Sequence, residues 1–318
     1  MEMGNASSRN TRVAVIGAGT MGNAIAIRLM DAGMLVNVWS RHTSTTKDLV
    51  AFGATAYVDV GDAVEGADVI LSVLPTGDVT VGVMFDRSGV NSMRPGAIWV
   101  QMGTIGVQAT ERLAALTTAW RPDVTFVDAP VSGSRGPAES GQLLILASGP
   151  ESAAPRLEPL FEALGRRTLW LGAAGAGSRM KLVLNTWLAF QIEGAAEAAS
   201  LAHVLDVDPG SLVNALQGNP LASPYSLAKL ERMLKDDFRP DFSIDLALKD
   251  LDLVASDAGT DGTPIAADIA DRWRELVRGG AGGLDVAAAR LGLGESPTLP
   301  QAHEGDGPRG HESGTVGR

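Results

Sequence analysis

Cysteine is absent from this chain of 318 residues. That excludes disulfides and thiolate metal centres and fits a reducing compartment. Histidine is scarce too. The four present, His42, His203, His303 and His311, form no close ligand pair, so no metal site is expected; His203 reads as a packed or interface residue. Positive charge is in deficit, with 26 Lys and Arg against 37 Asp and Glu and a net charge of −11. A surface of that sign argues against a nucleic-acid partner, whose phosphates need a basic face. No uninterrupted apolar run reaches the ~18–20 residues that span a bilayer. The opening "MEMGNASSRNTR" lacks the apolar centre of a secretory signal. These absences lead to the expectation of a soluble, cytoplasmic protein without a membrane partner.

Apolar residues make up 45% of the chain and charged residues 20%, enough to bury sizeable cores. The length suggests two domains at roughly 100–200 residues each. Residues 1–11 are polar and expected to be flexible. Short β-branched or apolar runs then recur at 12–17, 34–39, 54–58, 68–75, 97–102, 125–131, 143–149 and 167–172, with helical patterns such as 20–33, 107–120 and 151–164 between several of them. Strand and helix in alternation predict a parallel sheet with helices on its faces. Near 172–178 the pattern changes. Residues 178–205 read as one long apolar helix, too apolar for a solvated rod and therefore expected in a core or a dimer interface. Helical runs follow at 208–216, 221–234, 245–258 and 264–277. The expected organisation is a dinucleotide-binding domain over 12–174, an all-α domain over 175–293, and a disordered tail over 294–318, rich in Gly, Pro, Glu and His.

The segment "VAVIGAGTMGNAIA" places Gly17, Gly19 and Gly22 in a G-x-G-x-x-G pattern between a buried strand and a helix. The first glycine permits a tight turn, the second lets the backbone approach a pyrophosphate, and the third permits close helix–strand packing. Ala18, Thr20 and Met21 complete that loop, and the helix start faces the phosphates. An NAD-preferring site places Asp or Glu at the end of the second strand, about 20 residues on. Here the chain reads Trp39-Ser40-Arg41-His42-Thr43, with no carboxylate before Asp48. Arg41 can pair with a 2′-phosphate while Ser40 and Thr43 donate hydrogen bonds, so NADP(H) is expected in preference to NAD(H).

In "GAGSRMKLVLN" (175–185), Arg179 and Lys181 stand where a helix is expected to begin, although a helix start disfavours cations. Together with "GAGTMG", this segment, "FVDAPVSGS" (126–134) and "FSIDLALKDLDLV" (242–254) resemble, in order and spacing, the β-hydroxyacid dehydrogenase family. That family includes 3-hydroxyisobutyrate dehydrogenase and the glyoxylate/succinic semialdehyde reductases. The resemblance spans about residues 12–290. It implies a doubly wound, mostly parallel α/β Rossmann domain followed by an all-α, 6-phosphogluconate dehydrogenase-like C-terminal domain on a long interdomain helix. It also implies a homodimer or homotetramer, and an NAD(P)-dependent oxidoreductase acting on a small carboxylate substrate. Lys181 falls on the family's catalytic lysine and Asn185 on the asparagine that orients the substrate. Ser132, Gly133 and Ser134 fall on the turn that holds the substrate carboxylate. Leu74, Pro75, Thr104 and Lys249 fall on positions beside the cofactor, Lys249 being the lysine that closes over it.

A chemical reason for the misplaced cation then follows. Hydride delivery to a carbonyl needs a proton donor, and a lysine desolvated near a helix start has its pKa lowered toward the useful range. The departures from the family pattern are Gln101-Met102-Gly103-Thr104 in place of Asp-x-Ser-Thr, Ser134 in place of a glycine, and Leu184 in place of the first of two asparagines. All touch the substrate pocket. Two alternatives stand beside this reading: an NADPH-dependent imine reductase, which lysine at 181 opposes, and a non-catalytic NADP(H) sensor, which Lys181 and Asn185 together oppose.

Overall fold

The computed structural model describes residues 11–293; the segments expected to be loose, 1–11 and 294–318, lie outside them except for residue 11. Six short strands, β1 (Arg12–Ile16), β2 (Leu35–Trp39), β3 (Thr55–Tyr57), β4 (Val69–Ser72), β5 (Ile98–Gln101) and β6 (Thr125–Asp128), form one all-parallel sheet. Its order is β3-β2-β1-β4-β5-β6. Order reverses between β1 and β4, which opens the crevice where such sheets take a ligand at their carboxyl ends. Both faces are covered, so the strands read as continuous apolar runs. In β1, Val13 and Val15 point into one core with helices Thr20–Asp31 and Ala154–Leu164. Ala14 and Ile16 point into the other with helix Val107–Trp120.

The run 125–131 does not stay one strand. It breaks at Ala129–Pro130, where proline has no N–H for the ladder, and resumes as β7 (Val131–Ser132). Strand β7 pairs antiparallel with β8 (Leu143–Ala147), which pairs parallel with β9 (Gly165–Trp170), making a separate three-stranded sheet. The alternation of elements is as expected, but the last strands leave the main sheet.

Beyond β9 every extended element among the described residues is gone and the chain is helical. The 29-residue helix Ala176–Val204 runs between the two halves. Helices Pro209–Leu216 and Pro224–Leu234 start on Asp208 and Ser223, whose side chains accept from the N–H of Ser211 and Ser226, with proline at the first helical position; both devices favour a helix start. Helices Ile244–Ala258 and Pro264–Arg278 complete the layer. Trp273 is fully buried against the long helix and donates its indole N–H to the Glu193 carboxylate. A short 3₁₀ segment, Val286–Gly292, fills the same core with Ala287, Ala288 and Ala289.

Candidate functional site

The glycine loop is shaped by close backbone approaches. Gly17 has φ of 108°, and a Cβ there would stand 2.4 Å from the Val73 carbonyl oxygen; one on Gly22 would stand 1.8 Å from the Gly17 oxygen. Neither position tolerates a side chain. Gly19 differs, since nothing lies within 4 Å of where its Cβ would be. It is the N-cap of helix Thr20–Asp31, which has no capping side chain and no acid in its first turn. The N–H groups of Thr20, Met21 and Gly22 therefore lack intrahelical partners, and the partial positive charge of the helix start is left uncompensated beside the buried Ala18 and the open space at Gly19. That fits a dinucleotide pyrophosphate. At the end of β2, Ser40 is half-buried and Arg41 and Thr43 are exposed. Arg41 donates its Nε–H to His42 Nε2 at 3.3 Å, and Thr45 Oγ1 donates to Ser40 Oγ at 2.9 Å. This corner holds donors and no acid.

The lysine-bearing helix starts two residues earlier than its sequence suggests. Ala176 is its first residue and Gly175, with φ of 99°, its N-cap, so Lys181 sits in the second turn and Arg179 in the first. The missing cap comes from the end of β6. Asp128 is fully buried and its Oδ2 accepts from the N–H of Ser178 at 2.8 Å and of Gly175 at 3.2 Å. The hydroxyls of Ser178 and Ser148 donate to the same carboxylate at 2.9 and 3.1 Å. Gly177 lets the helix come this near, because a Cβ there would stand 2.1 Å from the Leu146 oxygen. Burial pushes the Asp128 carboxyl up, against the pull of its four donors.

Lys181 is partly buried, on the side of this helix that meets Lys249 and Asp250. Burial lowers its pKa, Asp250 opposes that shift, and the nearby Lys249 ammonium adds to it. With Lys181 past the first turn, desolvation and a neighbouring cation replace the helix dipole as the physical cause. Asn185, one turn on, is buried and donates its amide N–H to the Asp250 carboxylate. Asp250 in turn lies 2.8 Å from Lys249 Nζ. Lys249 Nζ donates across the cleft to the carbonyl oxygens of Thr104 and, at 3.3 Å, Pro75. Five residues singled out from sequence, Lys181, Asn185, Lys249, Pro75 and Thr104, are thus brought together around Asp250. Leu74 lies against the glycine loop.

The Ser132–Ser134 turn follows β7, which packs on the long helix. Gly133 has φ of 134° and no room for a Cβ beside Leu143 and Pro137; Ser134 opens the short helix Arg135–Glu139 without making a capping bond. No direct bond joins Ser132, Gly133 or Ser134 to Lys181 or Asn185 among the described residues. On the opposite wall, Gln101 is fully buried. It accepts from Ser72 Oγ at 2.9 Å and from the Gly103 N–H at 3.2 Å, and donates to the Gly103 oxygen at 2.6 Å. A Cβ on Gly103 would stand 2.3 Å from the Leu74 oxygen, so this loop has no space for a serine at the position where the Asp-x-Ser-Thr pattern would place one. Among the described residues no cluster of three or more His, Asp or Glu could hold a metal, and no helix is long and apolar enough to cross a membrane.

Residues 12–172 match the NAD-binding domain of 6-phosphogluconate dehydrogenase, and residues 175–291 match the NAD-binding domain of NADP-dependent 3-hydroxyisobutyrate dehydrogenase. Glyoxylate/succinic semialdehyde reductase 1 of Arabidopsis thaliana is 29% identical over 87% of this chain and 96% of its own length. The NAD-dependent L-serine dehydrogenase of Pseudomonas aeruginosa is 32% identical over 85% of this chain and 93% of its own. The chain belongs to the β-hydroxyacid dehydrogenase family. The Mycobacterium tuberculosis 3-hydroxyisobutyrate dehydrogenase solved with L-serine has a TM-score of 0.80 at 28% identity, covering 89% of this chain and 99% of that one. An imine reductase from Myxococcus stipitatus reaches 0.60 at 18% identity over 89% and 99% of the two chains, a likeness of fold alone.

As a β-hydroxyacid dehydrogenase the protein is an NAD(P)-binding oxidoreductase acting on hydroxyl groups. Two of its site residues went unassigned from sequence, Asp128 and Asp250. Each is a buried carboxylate that binds groups of the long helix 47 to 65 positions away, Gly175 and Ser178 for Asp128 and Asn185 for Asp250. A signal for Asp128 existed: the glycine-led helix at 175 carries no capping side chain of its own, and such a helix needs an acceptor from elsewhere.

Proposed function

We propose that the protein is an NADPH-preferring reductase that interconverts a small β-hydroxyacid and its semialdehyde or oxo acid, with Lys181 as proton donor and acceptor. The observation that carries this is the partly buried Lys181, its pKa lowered, one helical turn from Asn185 and beside Asp250 and Lys249, whose Nζ reaches the carbonyls of Thr104 and Pro75 that follow strands β5 and β4. A bound nicotinamide would supply the hydride. The chain's own part is to hold and protonate. In the reductive direction the Lys181 ammonium gives its proton to the carbonyl oxygen as charge develops there; in the oxidative direction the neutral amine takes the hydroxyl proton. Asn185 has its N–H held by Asp250, which leaves its carbonyl oxygen to accept from the substrate hydroxyl. The Ser132–Gly133–Ser134 turn is assigned the substrate carboxylate, and positive charge from Lys181 and Lys249 attracts it within an acidic protein.

The donor-rich, acid-free corner of Ser40, Arg41 and Thr43 supports NADP(H) over NAD(H). Arg41→Asp should move the preference toward NADH, and an unchanged ratio would mean that the 2′-phosphate is read elsewhere. For assembly, the long helix carries a second apolar face. Val183, Trp187, Leu201 and Leu205 are 64%, 61%, 58% and 63% exposed, and two residues of helix turn that stripe about 200° away from Lys181. Such a face on a helix over seven turns long fits a second copy of the chain, with Trp187 the expected anchor; Trp187→Glu should shift light-scattering mass to the monomer. The activity test is NADPH oxidation against glyoxylate, succinic, methylmalonate and tartronate semialdehydes and one cyclic imine. Turnover of an acid aldehyde that vanishes in Lys181→Ala is expected. Turnover of the imine alone would overturn this function in favour of imine reduction.

A further inference from the structure

We propose that Asp257 is a positioning residue for this reaction, reaching from the helical region to fix the segment that carries Thr104 against Lys249. The inference rests on the function proposed above. Helix Val107–Trp120 begins on Gly106, with φ of 90°, no capping side chain and no acid in its first turn. Its cap is supplied by Asp257, whose Oδ2 accepts from the Val107 N–H at 2.6 Å and Oδ1 from the Gln108 N–H at 3.4 Å. Gln108 answers with a bond from Nε2 to the Ser256 oxygen at 3.3 Å.

Two features argue that this arrangement serves the cleft and not the local helices. A carboxylate in the last turn of its own helix, Ile244–Ala258, is disfavoured by that helix's dipole, so Asp257 contributes nothing favourable there. And a cap from position 106 itself is disfavoured, because Gly106 has a φ of 90° that residues with a side chain rarely adopt, and a Cβ there would crowd Leu253 Cδ2 at 2.9 Å. Lys249, Leu253 and Asp257 are spaced four residues apart, one face of one helix. In order they meet the Thr104 carbonyl, Gly106 and the first N–H groups of the next helix. Segment 104–108 is gripped along its length from the other side of the cleft. Its start is held from below by the Gln101 side chain on Gly103. Without Asp257 the far end of that grip opens, and the Thr104 and Pro75 carbonyls no longer present a fixed cradle to Lys249.

The test uses the full-length Asp257→Ala and Asp257→Asn variants, with Asp252→Ala as a control on the same helix, where Asp252 pairs with Arg274 at the surface. Hydrogen exchange of the free protein is read over residues 103–114 and 12–30. Turnover on whichever substrate the wild type reduces, and the affinity and nicotinamide emission of bound NADPH, are read beside it. Expected in Asp257→Ala is exchange at 103–114 at least ~5-fold faster, the scale of a lost cap, with 12–30 unchanged. NADPH affinity should stay within about 2-fold while kcat falls at least ~10-fold, as a small misplacement costs, and bound-nicotinamide emission changes. Asp257→Asn, which keeps one acceptor, should fall between, and Asp252→Ala should match the wild type. Unchanged exchange, or faster exchange with kcat and emission both unchanged, overturns the inference. A wild type that turns over no substrate sinks the proposed function instead, and exchange with emission still judges Asp257.

Discussion

Replacing Asp128 separates two accounts of how the lysine-bearing helix is anchored. In one, four hydrogen bonds hold it; in the other, a negative charge at its start does. In Asp128→Ala the buried N–H groups of Gly175 and Ser178 lose their acceptor. The hydroxyls of Ser148 and Ser178 can turn elsewhere, Ser178 to Thr110 at 3.0 Å. Two orphaned donors at about 1–3 kcal/mol each set a gross loss of roughly 2–6 kcal/mol. Relief from burying a carboxylate offsets part of it, leaving about 3 kcal/mol. At about 2–4 °C per kcal/mol for a chain of this size, the melting midpoint should fall by ~6–12 °C, and turnover should fall with it because Ser178 stands one turn before Lys181. Asp128→Asn keeps an oxygen for both N–H groups and turns its NH₂ to the Ser178 hydroxyl, so it should cost under about 1.5 kcal/mol. Because burial raises the Asp128 pKa, the folded state holds its proton more tightly than the unfolded chain. Its contribution is full below the ordinary ~3.9 and is lost as pH rises through the folded value; Asp128→Asn should abolish that slope. Calorimetry of both variants between pH 3 and 8 checks this. Equal losses in Asn and Ala would refute the hydrogen-bond account and assign the anchor to charge.

Lys181→Ala should cut turnover at least ~100-fold while NADPH titration remains intact. In the wild type, reduction should fade as pH rises through the lowered Lys181 pKa, below the ordinary ~10.4, while oxidation rises through the same point; a pH–rate profile flat up to 10 would reject the assignment. Lys229→Met removes a buried partner of Asp285, whose oxygens lie 2.7 and 2.9 Å from Lys229 Nζ, and should cost about 3–5 kcal/mol in denaturant unfolding. Burial alone would raise the Asp285 carboxyl, but the bonds from Lys229 and the N–H groups of Ala287 and Asp241 outweigh it and hold it low. This contribution is therefore present above the ordinary carboxylate value and lost as pH falls through the folded one, a slope that Lys229→Met should flatten. Gly103→Ser, which would restore the Asp-x-Ser-Thr pattern at its third position, should lower stability and activity, since its Cβ meets the Leu74 oxygen at 2.3 Å; a gain in turnover would contradict the geometry.

The elements that sequence predicted best are those whose signal is local. Helices 209–216 and 264–278 begin on proline and are strongly periodic, and the glycine loop sits between a buried strand and a helix as its spacing requires. What stayed hidden depends on partners far along the chain. Nothing in the apolar run 143–149 says that it pairs with 131–132 and 165–170 and leaves the main sheet. The alanines of 286–292 carry no period that separates a buried 3₁₀ segment from a loop, and only the Trp273 core around them makes them interior.

The hidden part of the site follows a rule that can be read back into the sequence. Of the helices that begin after glycine with neither a capping side chain nor an acid in the first turn, the one at 20 leaves its N–H groups open at the glycine loop, while two, at 176 and 107, meet a carboxylate from elsewhere. Local capping would stabilise each helix without reference to the rest of the molecule. Here both caps are aspartates from other elements, 47 and 150 positions away along the chain. One helix carries Lys181, and the other is led into by Thr104. Capping from a distance makes the placement of each group depend on the arrangement of sheet and helical layer as a whole. A helix start that breaks the capping rule is therefore a place to look for a functional group within a turn or two on either side, and for a carboxylate from another element that reaches it.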